Sequence, residues 1–182
     1  PIPYTLPSAY YDDFTGYWEI DPDNTISVNE SRISWVSMDR SIGRQVWREY
    51  ESGLTGDFVH KMTFCIQDID PWDNDNREIV RLWTLKSGDV SLILYAVQVG
   101  SEDDVYNLVF FQRSSSGNLF AYYSSVLNNP LEVGEVYYAT VTKHDYHYRL
   151  FVYNESSVLV DSGSFRGVSV EYNVISVVSV GG

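Results

Sequence analysis

The feature that most limits how this chain can fold is the spacing of its apolar runs, which are short, have strand character and are separated by polar turns. Residues 105–112 read Val-Tyr-Asn-Leu-Val-Phe-Phe-Gln, and residues 136–142 read Val-Tyr-Tyr-Ala-Thr-Val-Thr. Runs this rich in β-branched and aromatic side chains suit a pleated, half-buried surface and place no apolar stripe at helical spacing. The segments 58–66, 79–85, 90–99, 118–126, 146–153, 157–160 and 172–180 have the same character. Between them stand Ser87-Gly88-Asp89, Gly100 to Asp104, Ser114 to Asn118, Asn128-Asn129-Pro130 and Asp161-Ser162-Gly163. Their Gly, Pro, Asn, Asp and Ser residues supply turn conformations. The pattern predicts about ten short strands in an all-β sandwich or barrel. Residues 41–51 are ambiguous between helix and strand.

With 182 residues and 44% hydrophobic content, the chain can bury one substantial core. No repeat, linker or compositional shift divides residues 12–182, which are read as a single domain. Residues 1–11 carry three prolines, which remove ladder donors and favour an extended arm with Ile2, Tyr4 and Leu6 as its apolar contacts. The net charge of −13 opposes nucleic acid and anionic membrane as partners and favours cations or neutral glycans. No apolar run approaches the roughly 20 residues of a membrane-spanning helix. The first residue is Pro rather than Met, which predicts a mature, exported form acting outside the cell. Two sequons, at Asn29 and Asn154, would accept N-glycans in that setting. Cys65, the one cysteine, reads as a small buried hydrophobe and excludes an intramolecular disulfide.

The densest chemical signal lies at Asp68-Ile-Asp-Pro-Trp-Asp-Asn-Asp-Asn76, where Asp68, Asp70, Asp73 and Asp75 gather four carboxylates beside two amides. Such charges repel unless water, salt or a hard cation screens them, and calcium takes six to eight oxygen ligands of these kinds. The central Gly and distal Glu of an EF-hand loop are missing, so a calcium site here would be irregular. Asp21 and Asp23, and Glu102, Asp103 and Asp104, are further acidic turns offering ligands; the alternative for all three segments is a solvated turn. Trp72, beside the acids, is the aromatic residue best placed to stack on a glycan. Trp18, Trp35, Trp47 and Trp83 are read as core. His144-x-x-His147 is read as unable to put both rings on one face, and the three histidines as surface groups. No phosphate loop, dinucleotide fingerprint or Ser-His-Asp pattern is present, which argues against an enzyme.

Several segments together resemble the concanavalin A-like or laminin-G-like jelly roll. Asp12-Asp13-Phe14 followed by Trp18 is similar to the family's opening strand, and Gly56-Asp57-Phe58 to its entry into an inward-facing strand. Leu131 to Tyr138, Tyr148 to Tyr153 and Val158 to Gly163 resemble its late hairpin, and Tyr172-Asn-Val-Ile-Ser its closing strand. The resemblance implies two antiparallel sheets packed face to face, a fold shared by lectins, glucanases, lyases and structural modules. Family-16 glucanases on this fold use Glu-x-Asp-x-x-Glu, and Asp68, Asp70 and Asp73 have that spacing; Pro71 and the shorter Asp side chains depart from it. The chain's overall character, acidic, Tyr-rich, free of disulfides and headed by a Pro-rich arm, also resembles the cannula proteins of hyperthermophilic archaea. Those subunits polymerise into extracellular tubes in the presence of calcium.

These readings converge on one expectation. The chain is a non-enzymatic extracellular subunit that polymerises with copies of itself, or with homologous subunits, through calcium-bridged acidic loops and exchange of strands or arms. A calcium-dependent carbohydrate-binding module or lectin is the second reading, and a glucanase the third.

Overall fold

The computed structural model describes residues 14–29, 32–36, 43–68, 78–98, 105–114 and 123–180. Among the described residues there are fourteen strands and no helix: β1 (Trp18–Ile20), β2 (Ile26–Asn29), β3 (Arg32–Trp35), β4 (Arg44–Leu54), β5 (Phe58–Cys65), β6 (Glu78–Ser87), β7 (Val90–Gln98), β8 (Val105–Ser114), β9 (Tyr123–Val126), β10 (Leu131–Glu132), β11 (Val136–His144), β12 (His147–Asn154), β13 (Leu159–Arg166) and β14 (Tyr172–Val180). The ambiguous segment 41–51 resolves as β4, whose Val46, Trp47 and Tyr50 favour a pleated backbone and which is paired on both sides. The count exceeds about ten because the short β1, β2, β3 and β10 carry little periodicity to detect.

The strands form an antiparallel two-sheet sandwich. An eight-stranded sheet has the order β1-β4-β14-β6-β7-β8-β10, with β9 also on β8, and a four-stranded sheet has the order β13-β12-β11-β5. A separate hairpin pairs β2 with β3. The last strand, β14, lies between β4 and β6, so the centre of the large sheet joins segments from both ends of the described chain. Strands β9 and β10 pair successive stretches of β8, Val109–Gln112 and Val105–Tyr106, and so act as one interrupted edge.

Core-facing side chains of the large sheet, among them Leu85, Leu92, Leu94, Leu108, Phe110 and Ile175, pack on Tyr137, Ala139, Val141, Tyr148, Leu150 and Val152 of the small one. Strands β11 and β12 alternate buried and exposed positions, the pattern of a sheet with one wet face. In β7 and β8 the alternation is lost. Ile93, Val97, Val109 and Phe111 are buried on the face opposite the core, so these strands read as nearly continuous apolar runs.

Of the polar side chains buried among the described residues, Gln112 is the least exposed and makes a network across the core. Gln112 of β8 is 1% exposed and spans to the segment after β13. Its Oε1 accepts from Val168 N–H at 2.7 Å, while its Nε2 donates to Val168 O at 2.9 Å and Tyr172 Oη at 2.7 Å. Tyr148 Oη donates to Val168 O at 2.6 Å and lies 3.2 Å from Tyr172 Oη. Burial pushes the ionisation of Tyr148 and Tyr172 up, so both hydroxyls keep their protons and remain donors.

Several side chains depart from their expected places. His60, expected at the surface, is turned to the core side of β5 by the strand's alternation and packs against Phe58 and Trp83. Trp18 is 53% exposed, because it lies on the terminal strand β1 and has the large sheet on one side only. Trp35 and Trp47 are partly buried and Trp83 is core. Cys65 is exposed: the alternation along β5 turns Phe58, Met62 and Phe64 inward and Cys65 outward. His144 and His147 are direct cross-strand partners flanking the β11–β12 turn, so they share a face after all. A sequence separation of three predicts opposite faces in one strand, but a two-residue turn reverses the chain between them.

Candidate functional site

Of the acidic segments, the turn Asp21 to Asn24 is the one described in full. Its carboxylates are already engaged. Asp21 accepts from Ile26 N–H at 2.6 Å and from Thr25 Oγ1 at 3.1 Å, and the Arg44 guanidinium lies 3.8 Å away. The same guanidinium pairs with Asp23. Desolvation acts to raise the Asp21 carboxyl, and the hydrogen bonds from Ile26 and Thr25, aided by Arg44, outweigh it and hold it below the usual carboxylate range. Arg44 is 2% exposed and fills the position a cation would take, so Asp21 and Asp23 form a structural ion pair across 21 residues of sequence. Replacing Asp21 by Asn is expected to lower thermal stability while leaving any calcium response unchanged; a calcium titration followed by scattering checks this.

Asp68 is exposed, three residues beyond the end of β5. Asp70, Asp73, Asp75 and Trp72 lie outside the described residues, as do Glu102, Asp103 and Asp104 and the arm residues Ile2, Tyr4 and Leu6. No group of three or more His, Cys, Asp or Glu side chains is arranged to hold a metal among the described residues. Asn29 ends β2 beside Arg32. Asn154 closes the turn to β13: its N–H donates to Val158 O at 3.0 Å and its Oδ1 accepts from Val158 N–H at 3.0 Å. Residues Glu155 to Val158 of that turn are exposed.

Two surfaces missed by sequence reasoning stand out. The first is the β1 edge of the large sheet. All three of its residues are exposed, Ile20 by 47%, and Trp18 leans on Trp47 of β4 at 5.0 Å between ring centroids. The second is the outer face of the small sheet, where register lines up Val59, Thr142, Arg149 and Ser164, then Lys61, Thr140, Phe151 and Ser162, then Thr63, Tyr138, Tyr153 and Leu159. At one end of this face Asp57 accepts from Asp145 N–H at 2.8 Å and binds His144 Nδ1 at 2.5 Å. At the other end Cys65 sits near Glu135 and Glu155. Burial, with these carboxylates, pushes its thiol up and leaves it a poor nucleophile.

The architecture defines a class, the two-sheet antiparallel β-sandwich. No family model matches the chain, and no curated protein matches it. Among solved structures it is similar to full-length tailspike protein 2 of an Escherichia coli O157:H7 bacteriophage, with a TM-score of 0.50 at 14% identity over 75% of this chain and 19% of that one. The enzymatically active domain of tailspike protein 2 from bacteriophage CBA120 gives a TM-score of 0.49 at 14% identity, over 75% of this chain and 21% of that one. The chain spans about a fifth of the length of these structures; at 14% identity the likeness to the full-length protein is one of fold alone. No helix among the described residues is long and apolar enough to cross a membrane.

Proposed function

We propose that the chain is an extracellular structural subunit that self-associates through its sheet edges, with calcium bridging acidic segments of neighbouring copies. The observation that carries this reading is the β1 edge, where Trp18 and Ile20 stand 53% and 47% exposed at the end of an eight-stranded sheet. Sheet edges of monomeric proteins are usually blunted by charge, proline or a covering loop, because unpaired main-chain groups recruit further strands. Large apolar side chains on such an edge favour addition of a strand, and the Pro-rich segment bearing Ile2, Tyr4 and Leu6 supplies a candidate. With a net charge of −13 the copies repel, and a shared divalent ion removes that barrier. Because Arg44 already pairs with both Asp21 and Asp23, the calcium proposal rests on Asp68, Asp70, Asp73 and Asp75 and on Glu102, Asp103 and Asp104. A tube of the cannula type is one form that contacts of this open-ended kind would build.

Light scattering and electron microscopy of the purified protein, with and without millimolar calcium, test the reading. Polymers are expected only with calcium, and Asp→Asn changes at positions 68, 70, 73 and 75 together are expected to prevent them. A protein that stays monomeric under every condition removes the proposal. A second reading, a glycan-binding module, draws on the Trp18–Trp47 pair, since an exposed ring braced by another is suited to stacking on a sugar. Saturable glycan binding by the monomer, lost in Trp18→Ala, would favour it over assembly.

A further inference from the structure

We infer that the outer face of the small sheet is a cationic docking surface for the acidic surface of a second copy of this chain. The inference deepens the self-association reading and rests on it. The face is built by alternation: β5, β11, β12 and β13 each turn their odd or even positions into the core and present the others to water. Its rows carry Lys61 at the centre, Arg149 one row away, and Arg166 opposite His147, which in turn faces His144. The other positions of the three central rows are Val, Thr, Ser, Tyr, Phe and Leu, and none is a carboxylate. In a chain with 25 Asp and Glu against 12 Lys and Arg, three successive rows with two cations and no acid are a segregation of charge. Carboxylates stand at the ends of the face: Asp57 shares the row of His144, His147 and Arg166 and binds His144, Asp145 lies in the hairpin, and Glu135 and Glu155 lie near Cys65. No ion pair joins Lys61, Arg149 or Arg166 to a carboxylate among the described residues, and Arg166 instead lies over the Tyr146 ring at 5.8 Å.

The occupant follows from charge and area. The polyanion that must be present wherever this protein is present is the protein itself: with Lys61 and Arg149 on the acid-free rows, ten of the 12 cations remain elsewhere against 25 carboxylates. A face that attracts and a remainder that repels produce a head-to-tail contact between different surfaces, which propagates instead of closing. The four strands span about 19 Å and eight residues about 26 Å, an area on the order of 500 Å². A stable pair needs about 800 Å² from each partner, so this contact holds only alongside others, as in a calcium-bridged polymer. Tyr138, 42% exposed, with the partly buried Tyr153 and Phe151, supplies apolar contact beside the charges.

The test is sedimentation of the intact chain and of a Lys61→Glu/Arg149→Glu variant, at about 20 mM and about 300 mM sodium chloride, without calcium and with it. Both side chains are exposed, so the variant's melting temperature is expected to match the parent's. Without calcium the net charge of −13 is expected to keep the copies apart, and with calcium the parent is expected to associate more strongly at low salt than at high salt. The variant is expected to lose at least about tenfold in low-salt association, since like charges across a contact are strongly unfavourable. If calcium-driven polymers form equally well from parent and variant, and low-salt association is unchanged, the docking inference falls while the assembly reading stands. If the parent never associates, both fall. A variant that assembles like the parent but loses retention on a polyuronate column shows the face to serve an acidic glycan, which also overturns the inference.

Discussion

Replacing Gln112 by Leu is expected to cost about 3 kcal/mol of folding stability, from the polar groups it would strand in the core. Gln112 is 1% exposed and Tyr172 fully buried, so the amide and the hydroxyl it meets have no water to turn to, while Val168, 39% exposed, stands at the edge of the network. Loss of Gln112 leaves Val168 N–H without an acceptor and removes the donor that reaches Tyr172 Oη. Each stranded group costs roughly 1–3 kcal/mol, and the apolar replacement returns only part of that. Gly167→Ala probes the same network from the other side. A Cβ at position 167 would stand 2.3 Å from Gln112 Oε1 and 3.0 Å from the Tyr148 ring, so either the amide or the loop must move. Urea denaturation of both variants checks the expectation. Wild-type stability in Gln112→Leu would show that the network contributes nothing net.

Acidification from pH 6.5 to about 4 is expected to remove about 3 kcal/mol of stability through His60 alone. The ring lies on the core side of β5 between Phe58, at 5.1 Å, and Trp83, at 5.4 Å. Burial pushes its pKa from 6.5 down to about 4. The folded protein therefore takes up the proton less readily than the unfolded chain. The contribution is complete above pH 6.5, where His60 is neutral in both states, and it is lost progressively as the pH falls to about 4. His60→Phe is expected to flatten the stability profile over that interval, leaving the carboxylate-driven loss at lower pH. Superimposable profiles for the variant and the parent would refute the assignment.

Much of the architecture was legible because strand formation reports on local pattern. The runs at 58–66, 79–85, 90–99, 105–112, 136–142, 146–153 and 172–180 all form strands within two residues of those bounds. Turn chemistry was equally local: Gly88, at a φ of 51°, takes a conformation that costs other residues steric strain and so opens the turn between β6 and β7. The candidate sites were less legible. The acid content of residues 21–24 was plain, but their partner Arg44 lies 21 residues from Asp23 and looked like part of an ambiguous segment. The exposure of Trp18 follows from β1 having a neighbour on one side only, which no property of Trp-Glu-Ile announces.

The sequence by itself determined that this protein is built of strands, where most of them run and that it is strongly acidic, because alternation, turn residues and charge are properties of neighbours along the chain. Only the tertiary structure decided that Arg44 holds Asp21 and Asp23, that Gln112 reaches Val168 across 56 residues, and that Lys61 and Arg149 share three successive rows of a sheet face free of acids. Each of these depends on strand order and register, which long-range pairing sets and local sequence does not encode.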